Sequence, residues 1–304
     1  MKKMGSKLAK HAAGLICAGI LLMAGPPATA AAVEVPPGLA AYRDLAYVPG
    51  GHERQKLDLY VPTSGEGPFP LIVWIHGGSW TYGSKEGCLP VPWALKGYAV
   101  ASLNYRLSQD APFPAQIEDC KAAVRWLRAH AAEYRIDRDR FVAWGDSAGG
   151  HLAALLGTTG DDPGEGPPRE SSRVQAVIDW YGRADLSRVC TDPAMADHAV
   201  ARLLGGSGPA MTDIARKASP IAHVSPDDPP FLIMHGDRDA TVPVQQSEAF
   251  AEALQRAQVP VTLVILNGVG HGGEDFLRPE RVRLIDSFLR EYLRPAPDMV
   301  LRSP

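Results

Sequence analysis

Phe141-Val142-Ala143-Trp144-Gly145-Asp146-Ser147-Ala148-Gly149-Gly150-His151-Leu152-Ala153-Ala154-Leu155-Leu156 is the stretch that decides how this chain folds. Phe141–Trp144 is a short apolar run of strand type, and Ala148–Leu156 is a helix of small and apolar residues. Between them, Gly145-Asp146-Ser147-Ala148-Gly149 fits the pattern G-x-S-x-G. The pentapeptide alone occurs often by chance, and a serine near a glycine-rich helix start is its bland reading. A strand running straight in and a helix running straight out change that. A serine in so tight a turn has a strained backbone, and only neighbours without bulk let strand and helix approach. Ser147 then stands at the head of a helix as the candidate nucleophile.

Working outward, strands and helices alternate. Asp44–Val48 and Lys56–Val61 read as short strands around Gly50-Gly51. Leu71–Ile75 and Tyr98–Leu103 are continuous apolar runs, which suits strands buried on both faces. Ile117, Cys120, Ala123, Val124 and Leu127 recur at helical spacing. Beyond the serine come strands at Val174–Trp180, Phe231–Met234 and Val261–Leu266, with helices over Gln245–Arg256 and Arg281–Leu293. This order predicts an α/β fold: a mostly parallel central sheet covered by helices on both faces, with the early hairpin as an antiparallel edge. Gly160–Ser172 reads as an exposed loop. Asp185–Pro230 is too long for a plain connection and predicts small helices over one end of the sheet, where a lid or cap sits. Leu204-Gly205-Gly206-Ser207-Gly208 lacks the lysine of a phosphate-binding loop and reads as a turn.

A serine nucleophile needs a base, and in strand–turn–helix sites of this kind the order along the chain is Ser, acid, His. Of nine histidines, His271 lies in Gly268-Val269-Gly270-His271-Gly272-Gly273, a loop directly after the last predicted strand. Such loops at the carboxyl ends of strands are where ligands meet catalytic groups in open sheets. His76 and His151 sit on other elements, His198 and His223 fall in the insertion, and His235 ends a strand with a structural hydrogen bond expected. Between Ser147 and His271, Asp237 and Asp239 are both candidates for the acid that orients the imidazole, with Asp192, Asp197 and Glu248 more remote. Spacing alone does not separate the two aspartates. The developing oxyanion needs backbone donors: one is the N–H of Ala148, and the other comes from His76-Gly77-Gly78-Ser79-Trp80, which follows the Leu71–Ile75 strand.

The bulk numbers set outer limits. A chain of 304 residues with 45% hydrophobic and 21% charged residues is ordinary for a globular enzyme, and a net charge of -3 argues against nucleic acid or an anionic membrane as partner. Residues 1–30 carry Lys2, Lys3, Lys7 and Lys10, an apolar stretch over Leu15–Ala24 and the small-residue site Ala28-Thr29-Ala30. They read as a signal peptide whose apolar stretch is too short to span a membrane, so the expectation is a secreted or periplasmic protein with one domain over 31–304 and a cap-like insertion at about 185–230. Of four cysteines, Cys88, Cys120 and Cys190 remain after cleavage; Cys120 reads as buried, and pairing of Cys88 with Cys190 stays open. No metal or cofactor is implied, and Asp161–Pro168 lacks the regular carboxylate spacing of a calcium loop.

His76–Trp80, Asn104-Tyr105-Arg106-Leu107, Gly145–His151 and His235–Pro243 together resemble the α/β-hydrolases of the hormone-sensitive-lipase-like group, and within it the secreted bifunctional acetylxylan and feruloyl esterases. The likeness runs from about Tyr42 to Leu293. It implies a serine carboxylesterase acting on short-acyl or aryl esters, among them acetyl or feruloyl groups on xylan. It places the acid just before x-x-Val-Pro, which selects Asp239, and assigns the oxyanion donors to Gly78, Ser79 and Ala148. Ser79 departs from the third glycine of the lipase form, and the H-G-G-x-W form of the loop is shared with arylformamidases, which supply an alternative amide-cleaving reading. A catalytically inactive binding protein is the reading from another class. Trp80 is assigned to the acyl or leaving-group pocket, with packing beneath the cap as its other reading. The sequence does not specify an oligomeric state.

Overall fold

The structure, a computed structural model, describes residues 35–161, 170–191 and 197–293. The expected signal peptide at 1–30 and residues 162–169 of the expected exposed loop lie outside them. Eight strands form one sheet: β1 (Leu39–Ala46), β2 (Lys56–Pro62), β3 (Phe69–Ile75), β4 (Ala99–Leu103), β5 (Ile136–Asp146), β6 (Ala176–Trp180), β7 (Phe231–Gly236) and β8 (Val261–Leu266). Their order across the sheet is β1-β2-β4-β3-β5-β6-β7-β8. β2 runs antiparallel to both neighbours, and every pair from β4 to β8 is parallel.

The apolar runs are strands because their successive residues supply two separate cores. In β3, Leu71, Val73 and Ile75 enter one core, while Ile72 and Trp74 enter the other. β5 divides in the same way, Phe141 and Ala143 against Val142 and Trp144. This is the period of two of a pleated strand with both faces covered. On the first face lie α2 (Ala115–Ala129), α3 (Ala148–Thr159) and α7 (Gln245–Arg256); on the second lie α1 (Val91–Ala94) and α8 (Pro279–Leu293). Fully burying each large side chain here stabilises the fold by roughly 1.5–3 kcal/mol.

Three differences from the sequence expectation have local causes. β1 begins at Leu39 rather than Asp44, and its register on β2 shifts between Tyr42 and Leu45, where Asp44 has φ 54°. That bulge breaks the alternation that marks a strand. β5 starts five residues early because its polar, partly exposed beginning is paired through Ile136 to Phe69 of β3. The single-turn α1 is too short to show helical periodicity.

The 185–230 segment carries α4 (Ser187–Thr191), α5 (His198–Leu204) and α6 (Thr212–Lys217). It is anchored to the first face: the Nε2 of His151 on α3 meets the Ala218 carbonyl at 2.7 Å, and the Phe113 N–H donates to the Leu203 carbonyl at 2.7 Å. Cys88 and Cys190 fall in the cores on opposite faces of the sheet, and both, with Cys120, are free thiols. The open question of their pairing is thus answered by the sheet that lies between them.

Candidate active site

Ser147 sits in the turn from β5 into α3 with φ 52° and ψ -116°, a strained conformation for a residue with a side chain. The Ser147 N–H donates to the Trp180 carbonyl at 2.8 Å, tying the turn to the end of β6. The turn depends on glycine: a Cβ on Gly149 would lie 1.9 Å from the Ile75 carbonyl oxygen. No side chain fits between helix and strand there.

The Oγ of Ser147 lies 2.9 Å from Nε2 of His271, and the opposite nitrogen, Nδ1, lies 2.6 Å from Oδ2 of Asp239. A carboxylate only accepts, so Nδ1 carries the proton and Nε2 presents its lone pair to the serine hydroxyl. The Asp239 side chain is fully buried, whereas that of His271 is 24% exposed to the cleft. Burial pushes the Asp239 carboxyl upward, but hydrogen bonds from His235, His271 and the N–H groups of Val242 and Thr241 outweigh it. The group is held well below the ordinary carboxylate range and stays ionised.

It is Asp239, and not Asp237, that meets the histidine. Asp237 is exposed and accepts the N–H of Gly268 at 2.6 Å, bracing the base of the His271 loop. Asp197 caps α5, Glu248 lies in the first turn of α7, and Asp192 lies outside the described residues. His235 is buried, with Nδ1 at 2.7 Å from the Ser247 hydroxyl and Nε2 at 2.9 Å from the Val242 carbonyl.

Across the nucleophile lies the 76–80 loop. The Gly77 N–H donates to Oδ1 of Asp146 at 2.8 Å. No described group accepts from the N–H of Gly78, Ser79 or Ala148, which leaves those three donors available. Gly78 has φ 109°, and a Cβ there would strike the Tyr82 carbonyl oxygen at 2.3 Å. His76 is neutral: burial lowers its pKa to about 4. Its Nδ1 donates to the Gly77 carbonyl at 2.7 Å, so Nε2 accepts from the Arg54 guanidinium at 3.3 Å. Arg54 also donates to the carbonyls of Tyr105 and Gly83, cross-bracing the loop.

Sequence reasoning missed the bracing roles of Asp146 and Arg54, and it missed Tyr181. Asp146 was in plain view as the first x of G-x-S-x-G, while Arg54 comes from a hairpin with no chemical signal. Burial raises the Asp146 carboxyl to about 6, against the Gly77 N–H and the charge of His271, which lower it. Tyr181, one residue past β6, has φ 45° and sets its ring edge-on to His271, with centroids 4.7 Å apart.

Trp80 is a correction. It is 3% exposed and packs in the core, where its Nε1 donates to Nδ1 of His151 at 3.2 Å; it does not line the cleft. Burial lowers the His151 pKa to about 4, so the ring is neutral, its Nδ1 accepting from Trp80 and its Nε2 donating to the Ala218 carbonyl. The tryptophan therefore supports the insertion from below and leaves the substrate space to others. The cleft over Ser147 holds about 1310 Å³ and is lined by the 76–78, 82–84 and 271–274 loops. No described residue of the 185–230 segment lines it. Among the described residues no three His, Cys, Asp or Glu side chains converge as a metal site, and no helix is long and apolar enough to cross a membrane.

A family profile described as BD-FAE matches residues 57–254. The chain belongs to the BD-FAE family. With its eight-stranded sheet, this makes it an α/β-hydrolase of the hormone-sensitive-lipase-like group. A second profile, for TAP-like protein, matches residues 210–300. Among curated proteins similar to this BD-FAE member, Esterase LipC of Mycobacterium tuberculosis is 33% identical over 79% of this chain and 63% of its own length. The chain spans 46% to 63% of the length of LipC and its relatives LipM and LipQ. A truncated carbohydrate esterase from gut microbiota superposes with a TM-score of 0.77 at 30% identity, covering 84% of this chain and 97% of that one. An acetyl ester-xyloside bifunctional hydrolase from Caldicellulosiruptor lactoaceticus superposes at 0.67, also at 30% identity, over 78% and 87%.

Proposed function

We propose that this protein hydrolyses carboxylic esters through an acyl-enzyme on Ser147. The observation that carries this reading is the unbroken line of contacts from the Ser147 hydroxyl through His271 to Asp239. His271 takes the hydroxyl proton as Oγ bonds to the ester carbonyl carbon. The oxyanion collects on the N–H groups of Gly78, Ser79 and Ala148. Collapse breaks the bond to the alcohol oxygen, which leaves with the proton from His271. Water then attacks the acyl carbon, gives its proton to His271, and Ser147 recovers it as the acid departs. Asp239 stabilises the imidazolium in both steps.

The substrate reading is an acetyl or feruloyl group carried on a polysaccharide such as xylan. A cleft with no described part of the insertion over it suits an ester presented by a bulky carrier. The carbohydrate-esterase relatives support the same class. Export fits it too, and rests on the basic, apolar and small-residue pattern of residues 1–30.

A panel of p-nitrophenyl esters of rising acyl length, acetylated xylan, methyl ferulate and N-formylkynurenine tests it. Fast turnover of short esters and release of acetate or ferulate is expected. Preference for long acyl chains, or for the formamide, contradicts it. N-terminal sequencing of protein recovered outside the cytoplasm tests export, with a start near Ala31 expected.

A further inference from the structure

Tyr181 is unexplained by the fold. A bulky aromatic residue with φ 45° is a backbone outlier, and such strain persists only where the surroundings enforce it. They do so here on both sides. The Tyr181 N–H donates to the Met234 carbonyl at 2.9 Å, and the next residue, Gly182, donates to buried Asp179 at 2.9 Å. A Cβ on Gly182 would come within 2.5 Å of the His151 backbone nitrogen, so the turn is packed hard against α3. The ring that results stands edge-on to both His271 and Phe276, 4.7 Å from each.

The ring is 5% exposed, yet it lines the cleft, and no described group hydrogen-bonds its hydroxyl. That hydroxyl lies over Gly272, where an added Cβ would sit 3.1 Å from it. Burial, with the charges of Asp146, Asp239 and Asp179, pushes its pKa far above the ordinary phenol range, so it remains a donor at every working pH. The hydroxyl opens on the cleft rather than into the core, so a substrate oxygen can replace solvent as its hydrogen-bond partner.

The chemistry says which half of a substrate that is. The alcohol oxygen departs with the proton of His271, so it lies within hydrogen-bond reach of Nε2. The atoms beyond it continue along the wall that flanks His271, which is made of Tyr181, Gly272, Gly273, Glu274 and Leu277. We propose that Tyr181 determines leaving-group specificity: its hydroxyl donates a hydrogen bond to an oxygen of the alcohol half adjacent to the ester, selecting esters of polyols over esters of simple alcohols. This rests on the esterase reading and narrows it. It names the group that recognises the carrier, and it gives the ring a second task, holding the imidazole of His271 in plane.

The test compares two acetates of secondary alcohols, an O-acetylated methyl xyloside and cyclohexyl acetate, in the wild type and in Tyr181→Phe. They share the acyl group and differ in the hydroxyls beside the ester. Phenylalanine keeps the ring against His271 and removes only the donor. In the variant, kcat/KM for the xyloside is expected to fall about tenfold, and that for cyclohexyl acetate by less than about twofold. A displaced turn would instead slow both acetates and labelling by a serine-directed phosphonate alike, and would shift the pH profile. In the wild type alone, a deoxy xyloside lacking the neighbouring hydroxyl should lose the same factor, which tests the contact even if the variant folds poorly. Equal losses on both acetates, or none on either, overturn the role of Tyr181 while leaving the esterase reading intact. A wild type neither labelled by the phosphonate nor active on any ester overturns both.

Discussion

The carboxylate of Asp239 meets Nδ1 of His271 at 2.6 Å while its other oxygen accepts the N–H groups of Thr241 and Val242, each at 2.8 Å. One buried side chain thus closes its own turn and orients the histidine. Replacing it with Asn keeps the shape but offers an amide N–H toward Nδ1, favouring the wrong tautomer. Asp239→Asn should lower kcat by about 10⁴-fold. Asp237→Asn alters a side chain that, among the described residues, accepts the Gly268 N–H and does not meet His271, and should cost less than about tenfold. The pair compared on p-nitrophenyl acetate separates the two aspartates that spacing alone left level.

The same carboxylate carries a pH signature. Its folded pKa is depressed below the ordinary 3.8, so its contribution to stability is fully present above that value. It is lost only as the pH falls through the lower folded value. Unfolding by denaturant should show Asp239→Asn destabilised at pH 7, with the gap closing in strong acid.

Asp179 titrates in the opposite sense. Burial raises its pKa from 3.8 to about 6, against the Gly182 N–H and the charge of His235, so the folded chain holds its proton longer than the unfolded chain. Stability therefore falls as pH rises through that interval, and Asp179→Asn is free of the fall. Whatever constant offset the amide brings, the variant's stability relative to wild type should climb by on the order of 1–3 kcal/mol between pH 4 and pH 7. Melting curves across that range measure it, and a flat difference would refute the buried-acid account.

Trp80→Phe removes the donor to Nδ1 of His151 and leaves a buried acceptor without a partner. A loss of about 1–3 kcal/mol of stability is expected. KM for short esters should stay within about threefold of wild type, since the side chain does not line the cleft. A rise in KM with unchanged stability would restore Trp80 to the substrate pocket.

The strands were legible because each apolar run had to feed two cores, and Leu71–Ile75 and Phe141–Trp144 could do nothing else. The elbow was legible because G-x-S-x-G came with its strand and helix attached. The insertion was visible as an excess of chain, but which way it leaned depends on contacts between residues far apart in sequence, such as His151 to Ala218, 67 positions apart, and Phe113 to Leu203. Trp80 was misassigned for the same reason, since its neighbour in sequence is the oxyanion loop and its neighbour in space is α3. Tyr181 left no trace because its role comes from a left-handed backbone at a strand end, which no residue pattern announces. Asp239 and Asp237 illustrate the limit most clearly. They are two residues apart, chemically identical, and turned by one tight turn toward different partners.

The central claim is that Ser147 carries the acyl group. Rapid mixing with p-nitrophenyl acetate, acid quenching and mass analysis of the digested chain test this directly. An acetyl group is expected on the peptide bearing Ser147, formed with a burst of p-nitrophenol, absent in Ser147→Ala and greatly slowed in His271→Ala. Acetate release at the wild-type rate from Ser147→Ala, or the acetyl group on another residue, would contradict it.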